Sequence, residues 1–206
     1  MCVAATTVGL WPAPVRADGC ADVALIFARG TGEVPGLGRV GQALADALAA
    51  RLGDRTLSTY GVNYPASINF LTTADGANDA AANIAATVAQ CPVTRVVLGG
   101  FSQGAAVVAM LAGVNSLGNT VGNLGSAPPL PRSLADRVTA VAVFGGPAAR
   151  FGTPLSTSGA LAGRAIDLCA ADDPICVSGG RSRAAHNSYE FPPFPDQAAD
   201  FVAGLV

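Results

Sequence analysis

The tightest constraint on this chain is Gly100-Phe101-Ser102-Gln103-Gly104, set between the β-branched run Thr94-Arg95-Val96-Val97 and the Ala-rich run 105–112. β-Branched residues favour a packed strand and alanines favour helix, so a strand turns abruptly into a helix here. A turn this short brings the two backbones close together. Glycine has no Cβ, and Gly100 and Gly104 permit an approach that a larger side chain would block. The pattern is G-x-S-x-G, the nucleophile elbow, whose sharp turn lifts a Ser hydroxyl above the sheet. The following helix aims its N-terminal N–H groups toward Ser102, where negative charge builds up during acyl transfer. A Gly-Ser-Gly turn without chemistry is the bland alternative, and strand before with helix after weighs against it.

At 206 residues the chain is one domain with room for a sizeable core. Half its residues are hydrophobic, yet no run reaches the ~18 apolar residues of a membrane span before Gly, Pro or a charge interrupts it. All twelve basic residues are Arg, against fourteen acids, for a net charge of −2. Without a basic cluster, nucleic acid is not an expected partner. Residues 2–14 are small and apolar, and Val15-Arg16-Ala17 resembles a signal-peptidase site, although the positively charged n-region is missing. The expectation is a secretory-signal remnant over 1–17, a single domain over 18–206, and a secreted, extracellular or cell-wall-associated protein.

Cysteine usage agrees with export. Setting Cys2 aside leaves Cys20, Cys91, Cys169 and Cys176, which allow three pairings. Cys169 and Cys176 bracket a Pro-containing turn, and pairing them leaves Cys20 with Cys91. Metal binding is the rival use, weakened because neither C-x-x-C nor a second His is present. No metal and no cofactor are expected.

Apolar runs and helical periodicity alternate along the chain. Strands are expected at 21–28, 58–64, 94–101, 137–144 and 164–169, and helices at 40–52, 75–90, 105–114 and 195–206. Residues 115–132 and 151–162, rich in Gly, Ser, Asn and Pro, read as loops. This α/β alternation implies a three-layer α/β/α sandwich around a central parallel sheet of about five strands.

A Ser hydroxyl is a weak nucleophile at neutral pH and needs an adjacent base. The sequence holds one His, His186, after the last strand in Ala185-His186-Asn187-Ser188-Tyr189. The acid that would orient it should lie between Ser102 and His186, where only Asp136, Asp167, Asp172 and Asp173 occur. Asp136 precedes a strand, at the wrong end of the sheet, and Asp167 is inside one. Asp172 and Asp173 both lie in the turn after the last strand, and these considerations barely separate them.

Taken together, these segments resemble the cutinases, small serine esterases of the α/β-hydrolase fold without a lid domain. The resemblance is carried by Leu25-Ile26-Phe27-Ala28-Arg29-Gly30-Thr31-Gly32-Glu33, the elbow, Cys169-Ala170-Ala171-Asp172-Asp173-Pro174-Ile175-Cys176 and the His186 segment, and it spans residues 20–206. In that family the triad acid stands three residues before the second Cys of the small disulfide, which selects Asp173. The family also pairs its early Cys with the one ahead of the elbow strand, here Cys20 with Cys91. The same carry-over implies an oxyanion hole from the Gln103 N–H and from Thr31, through its N–H and its hydroxyl. The family usually has Ser where Thr31 stands.

The implied function is a secreted carboxylic ester hydrolase with a Ser102-His186-Asp173 triad, acting as a monomer on short- to medium-chain esters or lipids, with transient contact to lipid surfaces. Residues 177–183, polar and cationic, depart from the apolar rims of fungal cutinases and put long-chain cutin in doubt. Ile68, Phe70 and Leu71 are either an apolar wall of the site or plain core. Two alternatives stand beside this reading: an acetylxylan-type polysaccharide deacetylase, and a catalytically silent lipid-binding or surface protein.

Overall fold

The structure, a computed structural model, describes residues 19–118 and 123–206. The expected signal remnant at 1–17 lies outside the described residues. The elements are β1 (Val23–Ala28), α1 (Gly38–Ala49), β2 (Leu57–Gly61), α2 (Thr73–Gln90), β3 (Arg95–Phe101), α3 (Gln103–Leu111), α4 (Arg132–Ala135), β4 (Val138–Phe144), α5 (Pro147–Arg150), β5 (Ala165–Leu168), α6 (Arg183–His186) and α7 (Phe194–Ala203). A short 3-10 turn, Phe70–Thr72, leads into α2.

The five strands form one parallel sheet in the order β2-β1-β3-β4-β5. Every residue of β1 is buried, as a parallel strand covered on both faces should be. Successive side chains point to opposite faces. Ile26, Leu98 and Val141 therefore join one core with α2 and α3, where Ile84 and Leu111 pack. Leu25, Phe27, Val97 and Phe144 join another with α1 and α7, where Leu44, Leu48 and Val202 pack. The result is the expected three-layer sandwich.

The boundaries differ in detail. The second strand stops at Gly61 rather than 64, because the Arg29 guanidinium takes the Val62 and Tyr64 carbonyls beyond it. Helix α3 stops at Leu111 rather than 114, where Gly113 turns the chain with φ of +73°. The one-turn helices α5 and α6 fall in stretches where no helix was expected.

Register places the site. Ala28 pairs with Gly100, Phe101 with Phe144, and Phe144 with Leu168, so the segments after β1, β3, β4 and β5 leave the sheet along one carboxyl edge. Two disulfides brace this frame. Cys20–Cys91 ties the approach to β1 to the end of α2, and Cys169–Cys176 closes the loop after β5.

Candidate active site

The turn from β3 into α3 is as tight as the glycines imply. A Cβ on Gly100 would stand 2.3 Å from Gly104 O, and one on Gly104 would stand 1.9 Å from Ala28 O. Ser102 takes φ 54° and ψ −111°, a conformation that costs a non-glycine residue roughly 1–3 kcal/mol. Its N–H is held by Phe144 O at 2.9 Å, so the neighbouring strand fixes the strained residue in place.

His186 reaches Ser102 from the segment after the edge strand β5. It ends α6, which starts on the Ser182 cap, whose Oγ accepts the Ala185 N–H at 3.0 Å. His186 Nε2 lies 2.9 Å from Ser102 Oγ, and Nδ1 lies 2.8 Å from Asp173 Oδ2. Asp173 is fully buried, and its other oxygen accepts the Ile175 N–H at 2.7 Å. Burial pushes the Asp173 carboxyl up, but hydrogen bonds from His186, Tyr189 and the Ile175 N–H outweigh it and hold it below its ordinary range.

Tyr189 was legible as part of the His186 segment but carried no role in the sequence. It is fully buried among Phe101, Phe144 and Phe194. Its hydroxyl donates to Asp173 Oδ2 at 2.6 Å and accepts the Ala170 N–H at 2.8 Å. Burial, then the bond to Asp173, pushes the phenol far up, so it remains a donor.

The four acids separate cleanly. Asp136 lies at the amino edge, where it pairs with Arg132. Asp167, inside β5, accepts the N–H groups of Leu155 and Ser156. Asp172 is exposed and accepts the Arg181 N–H at 2.9 Å. Only Asp173 meets the imidazole.

Thr31 and Gln103 are joined through their side chains. Thr31 Oγ1 donates to Gln103 Oε1 at 2.8 Å, and Gln103 Nε2 donates to Thr73 Oγ1 at 2.9 Å. The Thr73 hydroxyl passes its own hydrogen to Phe70 O at 2.6 Å. The side chain of Gln103 and Thr73 are therefore site residues that sequence reasoning missed. Behind Thr31, the buried Arg29 and Glu33 hold the turn. Arg29 donates to Glu33 O, Val62 O and Tyr64 O, while Glu33 Oε2 accepts the Gly30 N–H at 2.7 Å.

Ile68, Phe70 and Leu71 are 86%, 45% and 52% exposed, so they are surface rather than core. Among the described residues no helix is long and apolar enough to cross a membrane, and no group of three or more His, Cys, Asp or Glu could hold a metal ion.

A family model described as Cutinase matches residues 19–206. A probable carboxylesterase, Culp3 of Mycobacterium tuberculosis, is 47% identical over 195 residues, covering 94% of this chain and 72% of the relative. A phospholipase of the same organism, Culp4, is 45% identical over 206 residues, covering 98% of this chain and 88% of the relative. Among solved structures, the Trichoderma reesei cutinase bound to a phosphonate inhibitor matches with a TM-score of 0.70 at 32% identity, covering 92% of this chain and 78% of that one. An acetyl xylan esterase matches with a TM-score of 0.74 at 25% identity, covering 91% of this chain and 99% of that one.

Proposed function

The chain belongs to the cutinase family, and from that membership and the Ser102–His186–Asp173 geometry we propose that it is an exported carboxylic ester hydrolase working through an acyl-enzyme. The observation that carries this reading is the unbroken line of hydrogen bonds from Ser102 Oγ through the imidazole to Asp173 Oδ2. His186 Nε2 takes the Ser102 proton as Oγ attacks the ester carbonyl. The Nδ1–H donates to Asp173, which fixes the tautomer that leaves Nε2 free and stabilises the imidazolium as it forms.

The carbonyl oxygen becomes an alkoxide held by the N–H groups of Gln103 and Thr31, each such donor contributing ~3 kcal/mol to the transition state. Among the described residues neither N–H is spent on another acceptor. The Thr31 hydroxyl hydrogen already points at Gln103 Oε1, so its N–H is the donor to the oxyanion. Collapse expels the alcohol, protonated by His186, and leaves an acyl ester on Ser102. Water, deprotonated by His186, then attacks this ester, and the acid departs as Ser102 recovers its proton. Side chains and backbone handle every proton and charge, so the sequence of steps needs no cofactor.

Short- to medium-chain or lipid esters suit a mouth fringed by Ile68, Phe70 and Leu71. The names of the relatives, carboxylesterase and phospholipase, support the same substrate range. Export is supported by two disulfides, which persist in oxidising compartments. In this reading residues 1–17 are the signal remnant and 18–206 the domain. Fluorophosphonate should label the wild type and not Ser102→Ala; absence of label on both would sink the enzyme reading in favour of a non-catalytic one. The likeness to an acetyl xylan esterase supports polysaccharide deacetylation as a second reading. Rates on acetylated xylan against p-nitrophenyl esters of increasing acyl length separate the two.

A further inference from the structure

The mouth of the site is chemically lopsided. In the strand order β2-β1-β3-β4-β5, Ser102 follows the central strand, and the segments after β2 and β5 flank it from opposite ends of the sheet. Residues 65–72, after β2, carry no charge and present Ile68, Phe70 and Leu71 to solvent. Residues 177–183, after β5, are cationic, with Arg181 and Arg183 and no acid.

The backbone of that second wall is fixed while its cations are free. Asp172 Oδ1 accepts the Arg181 N–H at 2.9 Å and Asp172 O accepts the Ser182 N–H at 2.8 Å. The side chains of Arg181 and Arg183 are exposed, and neither guanidinium has a hydrogen bond or ion pair among the described residues. This sets them apart. Every other described arginine, except Arg95 at the opposite edge of the sheet, gives its guanidinium to a carboxylate or a carbonyl oxygen. Arg183 opens the single turn of α6 that His186 closes, about 4.5 Å of helix rise away.

The nearby acids offset this charge only in part. Asp173 is buried under His186 and Tyr189, and Glu190 is bound to Arg39. Asp172 is the one exposed carboxylate of the segment, and Arg150 adds a further cation where it donates to Pro174 O.

We propose that Arg181 and Arg183 form a subsite for phosphate, so that the preferred substrates are carboxylic esters whose alcohol part carries a phosphate group. The acyl chain then lies toward residues 65–72. A guanidinium offers a planar fork of donors that matches two phosphate oxygens at once. Because the subsite is open to solvent, the discrimination is modest and screened by salt. The proposal rests on the esterase reading of the same site and specifies what that site selects.

The test compares 1,2-dibutyrylglycerol 3-phosphate with 1,2-dibutyrylglycerol, both below their aggregation limits, as the ratio of their kcat/KM values. At low salt the wild type should favour the phosphate by about fivefold, and the ratio should fall toward unity as salt shortens the Debye length to a few ångströms. The Arg181→Gln/Arg183→Gln pair should bring the ratio to about one, and the Arg181→Lys/Arg183→Lys pair, which keeps the charge, should retain most of it. A wild-type ratio at or below one would overturn the proposal. So would a ratio unchanged in the Gln pair, including one in which both rates fall equally. Failure of the wild type to turn over either ester would overturn the proposal, and fluorophosphonate labelling of the same sample tells that outcome from a failure of the esterase reading itself.

Discussion

Two donors share one oxygen at the centre of this site. Tyr189 and His186 both hydrogen-bond to Asp173 Oδ2, at 2.6 and 2.8 Å. The phenol withdraws part of the negative charge that would otherwise stabilise the imidazolium. Tyr189→Phe keeps the ring packing and removes that donor, so the Asp173 carboxyl is held less far below its ordinary range. The same substitution leaves the Ala170 N–H buried without its acceptor, at a cost of about 1–3 kcal/mol. The acid side of the stability curve follows by linkage. The Asp173 carboxyl is depressed on folding, so its contribution is present above its unfolded value and lost as pH falls through the folded one. Without the phenol the depression shrinks, and acid unfolding should begin at higher pH. Urea melts across pH 4–8 check both, and an unmoved acid edge of the stability curve would count against Tyr189 as a support of the Asp173 carboxylate. Residue-level sequence reading had a limit here. Asp172 and Asp173 are identical side chains one position apart, and nothing local says which will be buried against an imidazole. Only the family spacing chose between them. The structure supplies the physical ground, because the left-handed backbone at Asp172 (φ +67°) accompanies an exposed carboxylate there and a buried one at Asp173.

At the scale of elements, three chain segments meet through one side chain. Gln103 opens α3, Thr31 follows β1, and Thr73 opens α2; the Gln103 amide bonds to both hydroxyls. Thr73→Val is nearly isosteric yet leaves the buried Gln103 Nε2 without its acceptor. It should cost about 1–3 kcal/mol of stability. It should also lower kcat several-fold with little change in KM, because a loosened Gln103 no longer fixes Thr31 beneath the developing oxyanion. Thr73→Ser, which keeps the hydroxyl, should restore both. Thermal melts and steady-state rates on a p-nitrophenyl ester distinguish this from general destabilisation, which would spare kcat at low temperature. The sequence displayed the elements themselves well. The unbroken apolar run of β1 and the glycines around Ser102 each have one comfortable structural solution. It did not display the Gln103 amide network, because Gln is ordinarily an exposed residue and its partners come from residues 72 and 30 positions away. Helices α5 and α6 were hidden for a related reason. A single turn has too few residues for a periodic pattern, and α6 exists through the Ser182 cap.

Across the whole molecule, the two disulfides divide stability from function. Cys20–Cys91 closes a loop with a sequence separation of 71 residues, far from the carboxyl edge, whereas Cys169–Cys176 spans 7 residues and encloses Asp173. Loop-closure entropy assigns about 4 kcal/mol to the long loop and about 2.5 kcal/mol to the short one. The functional ranking should be the reverse. Cys176 Sγ lies 3.2 Å from Asp173 Oδ2 and 3.3 Å from the Tyr189 hydroxyl, so the short bridge packs directly against the acid and its second donor. Opening it frees the one loop whose carboxylate must stay aligned with His186, and a misplacement of about 1 Å can cost up to 10²-fold in rate. Cys169→Ala/Cys176→Ala should therefore lose the smaller share of unfolding free energy in urea and about tenfold or more in kcat/KM at 25 °C. Cys20→Ala/Cys91→Ala should lose the larger share of stability while keeping kcat/KM within about twofold, since the sheet still aligns the carboxyl edge through β1, β3 and β4. Equal rate losses in the two variants, measured where both remain folded, would mean that the short bridge acts on the site only through global stability.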